Sequence, residues 1–130
     1  MAFSPDSKIL VTASVDATAR VWNADTGEFI AVLNGHKEGI PSVAFSPDGK
    51  ILATGSTDDT VKLWSLETYQ ELLSLTEFGD DVGSVLFSPD GQTLAVGCSP
   101  GRGGLKPVQL WRAPTLAEIE AREKPRTTSR

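Results

Sequence analysis

A single cysteine, Cys98, allows no internal disulfide and points to no oxidising compartment, so the chain is expected in the cytoplasm. No apolar run approaches the ~18 residues of a membrane span. The opening Met-Ala-Phe-Ser-Pro-Asp lacks a basic stretch followed by an apolar one, so it is not expected to be a signal peptide. There is one histidine, His36, and no His/Cys cluster with metal-ligand spacing. A catalytic base or a thiol nucleophile therefore has few possible residues, and Cys98 has no evident partner base. Gly101-Arg102-Gly103-Gly104 lacks the Lys-Ser/Thr and the following helix of a phosphate loop. No cofactor and no metal is expected.

Positive charge is also scarce. Net charge is −5. Up to Leu110 there are 14 acidic and 7 basic residues, or −7, and from Trp111 onward 5 basic and 3 acidic, or +2. An acidic body repels phosphate backbones, which argues against nucleic-acid binding.

What the sequence does have is a repeat. Phe-Ser-Pro-Asp begins at Phe3, Phe45 and Phe87, each 42 residues after the last. Tryptophan recurs at Trp22, Trp64 and Trp111, spaced by 42 and 47, so the third copy carries five extra residues before its Trp. In the second copy the pattern predicts strands at Ile40–Phe45, Ile51–Ser56, Thr60–Trp64 and Glu71–Leu75. Ser46-Pro47-Asp48-Gly49 suits a type I turn, with Pro presetting φ and Gly closing it. A small sheet apolar on both faces must be sandwiched between neighbours.

Gly35-His36, Phe45–Gly49, Leu52–Thr60 and Val61–Trp64 together resemble the WD-repeat β-propeller family, over about residues 1–112. The Trp-Asp dipeptide itself is absent, since Asn23, Ser65 and Arg112 follow the tryptophans. The resemblance implies an all-β fold: a partial propeller of about three four-stranded antiparallel blades (1–38, 39–80 and 81–112). A short C-terminal helix and a disordered tail are expected over 113–130, with Thr115 capping Leu116–Glu123 and Glu118 completing a capping box. The ending is similar to the last blade of bacterial-type members.

The resemblance also implies a structural hydrogen-bonded set. In the second copy it is His36, Thr54, Asp58 and Trp64; in the first, Thr12, Asp16 and Trp22. The third copy has Phe78, Val96 and Pro100 at the polar positions and keeps only Trp111. Lys37, Glu38, Asp59, Asp80, Asp81, Arg102 and Lys106 are expected along one rim, as a partner-binding surface. The implied function is a non-catalytic protein-protein interaction scaffold, as the C-terminal part of a larger propeller or an assembly unit of one. The alternative is a regulatory or sensor portion appended to a bacterial enzyme such as a serine/threonine protein kinase. Protein partners are expected, no nucleic acid and no membrane, with self-association through open blade faces.

Overall fold

The computed structural model describes residues 1–76, 78, 81–98, 108–114 and 118–119. Its strands form three antiparallel sheets. The first runs β1 (Ala2–Phe3), β2 (Ile9–Ala13), β3 (Ala19–Asn23) and β4 (Phe29–Leu33) in spatial order. The second repeats this with β5 (Ser42–Phe45), β6 (Ile51–Gly55), β7 (Val61–Ser65) and β8 (Glu71–Leu75). The third holds β9 (Val82–Phe87), β10 (Thr93–Cys98) and β11 (Val108–Arg112). These are blades of an all-β, partial propeller. Of the expected C-terminal helix, Glu118 and Ile119 are described and are helical; the capping residue Thr115 lies outside the described residues.

The Ser-Pro-Asp turns are built alike. Gly49 N–H donates to Ser46 C=O at 2.9 Å, closing the turn. The Ser46 hydroxyl donates to Asp48 Oδ1 at 2.6 Å and accepts from Ile51 N–H at 3.0 Å. The serine thus satisfies a backbone group that the turn would otherwise strand. Ser4 and Ser88 make the same 2.6 Å bonds to Asp6 and Asp90.

Strand ends differ slightly from the sequence reading. The inner strand of the second sheet begins at Ser42 rather than Ile40. Pro41 has no N–H to give the ladder, and Ile40 N–H instead donates to Ser14 C=O, just past β2 in the first blade, at 3.1 Å. Ser56 and Thr60 form the hairpin turn instead of extending β6 and β7: Ser56 N–H donates to Thr60 C=O at 3.1 Å.

Two apolar layers lie between the sheets. One joins Val11, Ala19 and Val21 of the first sheet to Leu52 and Trp64 of the second. The other joins Ala53, Val61 and Leu63 of the second to Val85, Leu94 and Val96 of the third. The strand register explains the division. Phe45, Leu52 and Trp64 are cross-strand partners and form one row; Ala44, Ala53 and Leu63 form another. Adjacent residues in a strand point to opposite faces, so each blade turns one row to the blade before and the other to the blade after. Cys98 lies buried in the second layer as a thiol outside any disulfide.

Candidate functional site

At one end of the second blade the β6–β7 hairpin meets the loop that enters the blade. His36 comes from that loop, Thr54 from β6, Trp64 from β7 and Asp58 from the hairpin. Trp64 Nε1–H donates to Thr54 Oγ1 at 2.9 Å. Thr54 Oγ1 lies 2.7 Å from His36 Nε2, and His36 Nδ1 lies 3.0 Å from Asp58 Oδ2. One proton arrangement satisfies every group: the hydroxyl donates to Nε2, and Nδ1–H donates to the carboxylate.

The electrostatics agree with that arrangement. Burial, the leading influence on His36, holds its pKa below the usual histidine range, against the pull of Asp58. Burial pushes the Asp58 carboxyl up, but hydrogen bonds from the Thr60 hydroxyl, Lys37 N–H and His36 outweigh it and hold its pKa at about 2. The site is a neutral imidazole bridging a buried indole and an ionised carboxylate. Its ring nitrogens are both engaged, so it offers no free base.

Two further hydroxyls take part in bonds that the sequence did not indicate. The Thr60 hydroxyl donates to Asp58 Oδ1 and lies 3.2 Å from His36 Nδ1. The Ser56 hydroxyl donates to Gly39 C=O at 2.9 Å and accepts from Asp58 N–H at 3.0 Å, so it ties the hairpin to the loop. The recurrence of Asp-x-Thr at Asp16-Ala17-Thr18 and Asp58-Asp59-Thr60 was the available signal for Thr60.

In the first blade Trp22 Nε1–H donates to Thr12 Oγ1 at 2.9 Å. Among the described residues Asp16 does not join them. Its carboxylate is exposed and accepts from Thr18 N–H and hydroxyl, with Arg20 3.6 Å away. In the third blade Phe78 and Val96 are buried in the apolar layer, and Phe78 packs edge-on against Trp111 at 5.6 Å.

Of the expected rim, Lys37 and Glu38 are exposed beside the network, and Lys37 N–H donates to Asp58 Oδ2 at 2.9 Å. Asp59 and Asp81 are half-buried. Asp80, Arg102 and Lys106, with Pro100 and the inserted loop, lie outside the described residues. Among the described residues no group of three or more His, Cys, Asp or Glu could hold a metal ion, and no helix is long and apolar enough to cross a membrane.

The model of the WD domain, G-beta repeat, matches residues 1–23, 27–65 and 70–102. The chain belongs to the WD-repeat family. It is similar to WD repeat-containing protein 82 of Drosophila melanogaster, 49% identical over 37 residues, or 28% of this chain and 12% of that protein. It is also similar to the Notchless protein homolog of Arabidopsis thaliana, 50% identical over 34 residues (26% and 7%). A third relative is U3 small nucleolar RNA-associated protein 13 of Saccharomyces cerevisiae, 44% identical over 44 residues (34% and 5%). The matches therefore span about an eighth or less of these relatives' own lengths.

Proposed function

We propose that this WD-repeat chain is a non-catalytic scaffold that binds protein partners through the rim above the His36 network. The observation that carries this reading is the double engagement of His36: its two ring nitrogens are committed to Thr54 and Asp58. The chain's one imidazole is thereby spent on fixing a loop whose next residues, Lys37 and Glu38, are exposed. A rigid backbone carrying exposed side chains lowers the ordering cost of binding. The family membership supports the same reading, and the relatives above lend no support to the kinase-linked alternative.

A peptide-display selection on the immobilised chain tests it. Selected peptides are expected to lose about tenfold or more in affinity for Lys37→Glu and Glu38→Lys variants, which corresponds to about 1.4 kcal/mol. Binders indifferent to both substitutions would overturn the rim assignment. A hydrolytic or transfer activity lost in His36→Ala with the fold retained would overturn the non-catalytic reading.

A further inference from the structure

The chain holds two asparagines, and the fold treats them differently. Asn23 is tied into the turn after β3, where its Oδ1 accepts from Asp25 N–H at 2.9 Å and from Thr26 N–H at 3.1 Å. Asn34 is exposed, and among the described residues its side chain has no hydrogen bond. Gly35 follows it, and among the described residues the Gly35 N–H has none either. The two Asp-Gly pairs of the chain are unlike this: Gly49 and Gly91 N–H donate to Ser46 and Ser88 C=O at 2.9 and 2.8 Å.

Asn34 and Gly35 link two fixed points. Leu33 ends β4, is 1% exposed and pairs with Ala19 across the ladder. His36 is held by Thr54 and Asp58. Between them the main chain passes close to Trp64, and little room is left for a side chain at 35. A Cβ there would lie 3.0 Å from Glu71 Oε1 and 3.3 Å from Trp64 Cη2, on a buried ring that Thr54 holds in place. The close approach thus favours glycine directly after an exposed asparagine. By the 42-residue spacing the entry to the third blade has Thr76 and Glu77 at these positions and Phe78 in place of His36.

Asparagine is among the thermolabile residues, most of all before glycine, where no Cβ hinders approach of the following nitrogen. We infer that Asn34 is a site of spontaneous deamidation whose isoaspartate product loosens the His36 network. The Gly35 nitrogen attacks Asn34 Cγ, the Cγ–Nδ2 bond breaks, and the glycine's amide proton leaves with the departing nitrogen as ammonia. Water then opens the cyclic imide at either carbonyl. Breaking the bond from Cγ to the Gly35 nitrogen gives aspartate. Breaking the bond from the Asn34 backbone carbonyl carbon to that nitrogen gives isoaspartate. Both products add a negative charge, and isoaspartate also adds a methylene to the main chain between Leu33 and His36. Leu33 is locked in the ladder, so the added length is taken up at His36, away from Thr54 and Asp58. The inference is independent of the rim reading.

Ageing the whole chain at mildly alkaline pH tests this. Trypsin releases Val21–Lys37 with both asparagines, so fragmentation of one peptide compares them. Asn34 is expected to exchange its amide nitrogen for oxygen, faster as pH rises because the attacking nitrogen gives up its proton, while Asn23 stays intact. A protease that cuts before aspartate but not before isoaspartate separates the two products. The aged chain is expected to melt at a lower temperature than the fresh one, and its Trp64 indole N–H, at the far end of the network, to exchange faster with solvent. Asn34→Gln, whose longer side chain closes the ring far more slowly, is expected to age without either change. Fresh Asn34→Asp carries the charge without the longer main chain and is expected to melt close to wild type. Persistence of Asn34, or loss of Asn23 at the same rate, would overturn the site. Isoaspartate formed with melting and indole exchange unchanged would overturn its effect on the network, and so would a fresh Asn34→Asp that melts as low as the aged chain.

Discussion

His36 Nδ1 lies 3.0 Å from Asp58 Oδ2, although 22 residues separate the two in sequence. Both side chains are almost wholly removed from solvent. A buried charge needs partners, and Asp58 collects them from the loop before the blade and from its own hairpin. The imidazole remains neutral because burial disfavours the imidazolium more than the carboxylate favours it. The contact works as a clasp between two loops.

That clasp makes stability depend on pH. His36 titrates lower in the fold than its ordinary 6.5, so the unfolded chain binds more protons between the two values. Stability is full above the ordinary value and declines as pH falls towards the folded one. Asp58 adds a second decline as pH falls from 3.8 to about 2. Allowing for solvent screening, that second step is worth about 1–2 kcal/mol. The melting temperature is expected to drop as pH falls below 6.5. A His36→Gln variant should start lower and show a flatter profile in that window. Equal slopes in thermal scans followed by tryptophan fluorescence would contradict the assignment.

Ser7 occupies a position that the other two turns give to glycine. Its φ is +64°, matching +75° at Gly49 and +73° at Gly91. A residue with a Cβ is disfavoured there by roughly 1–2 kcal/mol. Glycine relieves this at the cost of extra freedom in the unfolded chain. Ser7→Gly is therefore expected to stabilise the chain by about 0.5–1 kcal/mol, and Gly49→Ser to destabilise it by a similar amount. Urea unfolding of the two variants gives the comparison, and a loss of stability in Ser7→Gly would refute the strain.

Much of this was legible in the sequence because it repeats. The family resemblance implied the set His36, Thr54, Asp58 and Trp64, the 42-residue spacing marked its positions in the other copies, and the second blade brings the four into contact. The alignment also marked Phe78 and Val96 as apolar replacements. The bonds of Ser56 and Ile40 were not legible, since they depend on backbone groups of other segments that no side-chain pattern reports. Asp16 shows the opposite limit: alignment placed it in a set, but its carboxylate turns to Thr18 and Arg20. The facing of rows required the register, because either parity of a two-sided apolar strand satisfies the same composition.

At Gly55 the second blade leaves no room for a side chain against the third. A Cβ there would lie 2.6 Å from Val82 Cγ1 and 3.0 Å from Val85 Cγ1. Both valines are buried on β9, so neither can swing out. Gly55→Ala is expected to cost about 1–3 kcal/mol by overpacking. Shortening the nearer neighbour should return part of that, so Gly55→Ala with Val82→Ala is expected to cost less than the two single costs added. Strict additivity in a denaturant-based mutant cycle would show that the contact is not what limits this position.

The three tryptophans permit a reciprocal test. Trp64 gives its N–H to Thr54, and Trp22 gives its own to Thr12. Trp111 Nε1 is buried with no hydrogen-bond partner among the described residues, and Val96 stands where the threonine would be. The registers match: Thr54 pairs with Lys62 and Leu52 with Trp64, as Val96 pairs with Gln109 and Leu94 with Trp111. Threonine at position 96 would thus bring an acceptor to the orphan indole. Its own hydroxyl proton, however, would meet Phe78 instead of an imidazole. Gain and loss are then of similar size, and Val96→Thr is expected to change stability by less than about 1 kcal/mol. Thr54→Val removes a hydroxyl that serves both Trp64 and His36, strands two buried groups and should cost about 2–3 kcal/mol. The two swaps exchange the same pair of residues in opposite directions, so packing changes are nearly matched and the hydrogen bonds decide the difference. Chemical denaturation gives the energies. The Trp111 indole N–H resonance should move downfield and exchange more slowly in Val96→Thr. An unmoved resonance, or equal costs for the two swaps, would show that the hydroxyl in the second blade contributes packing alone.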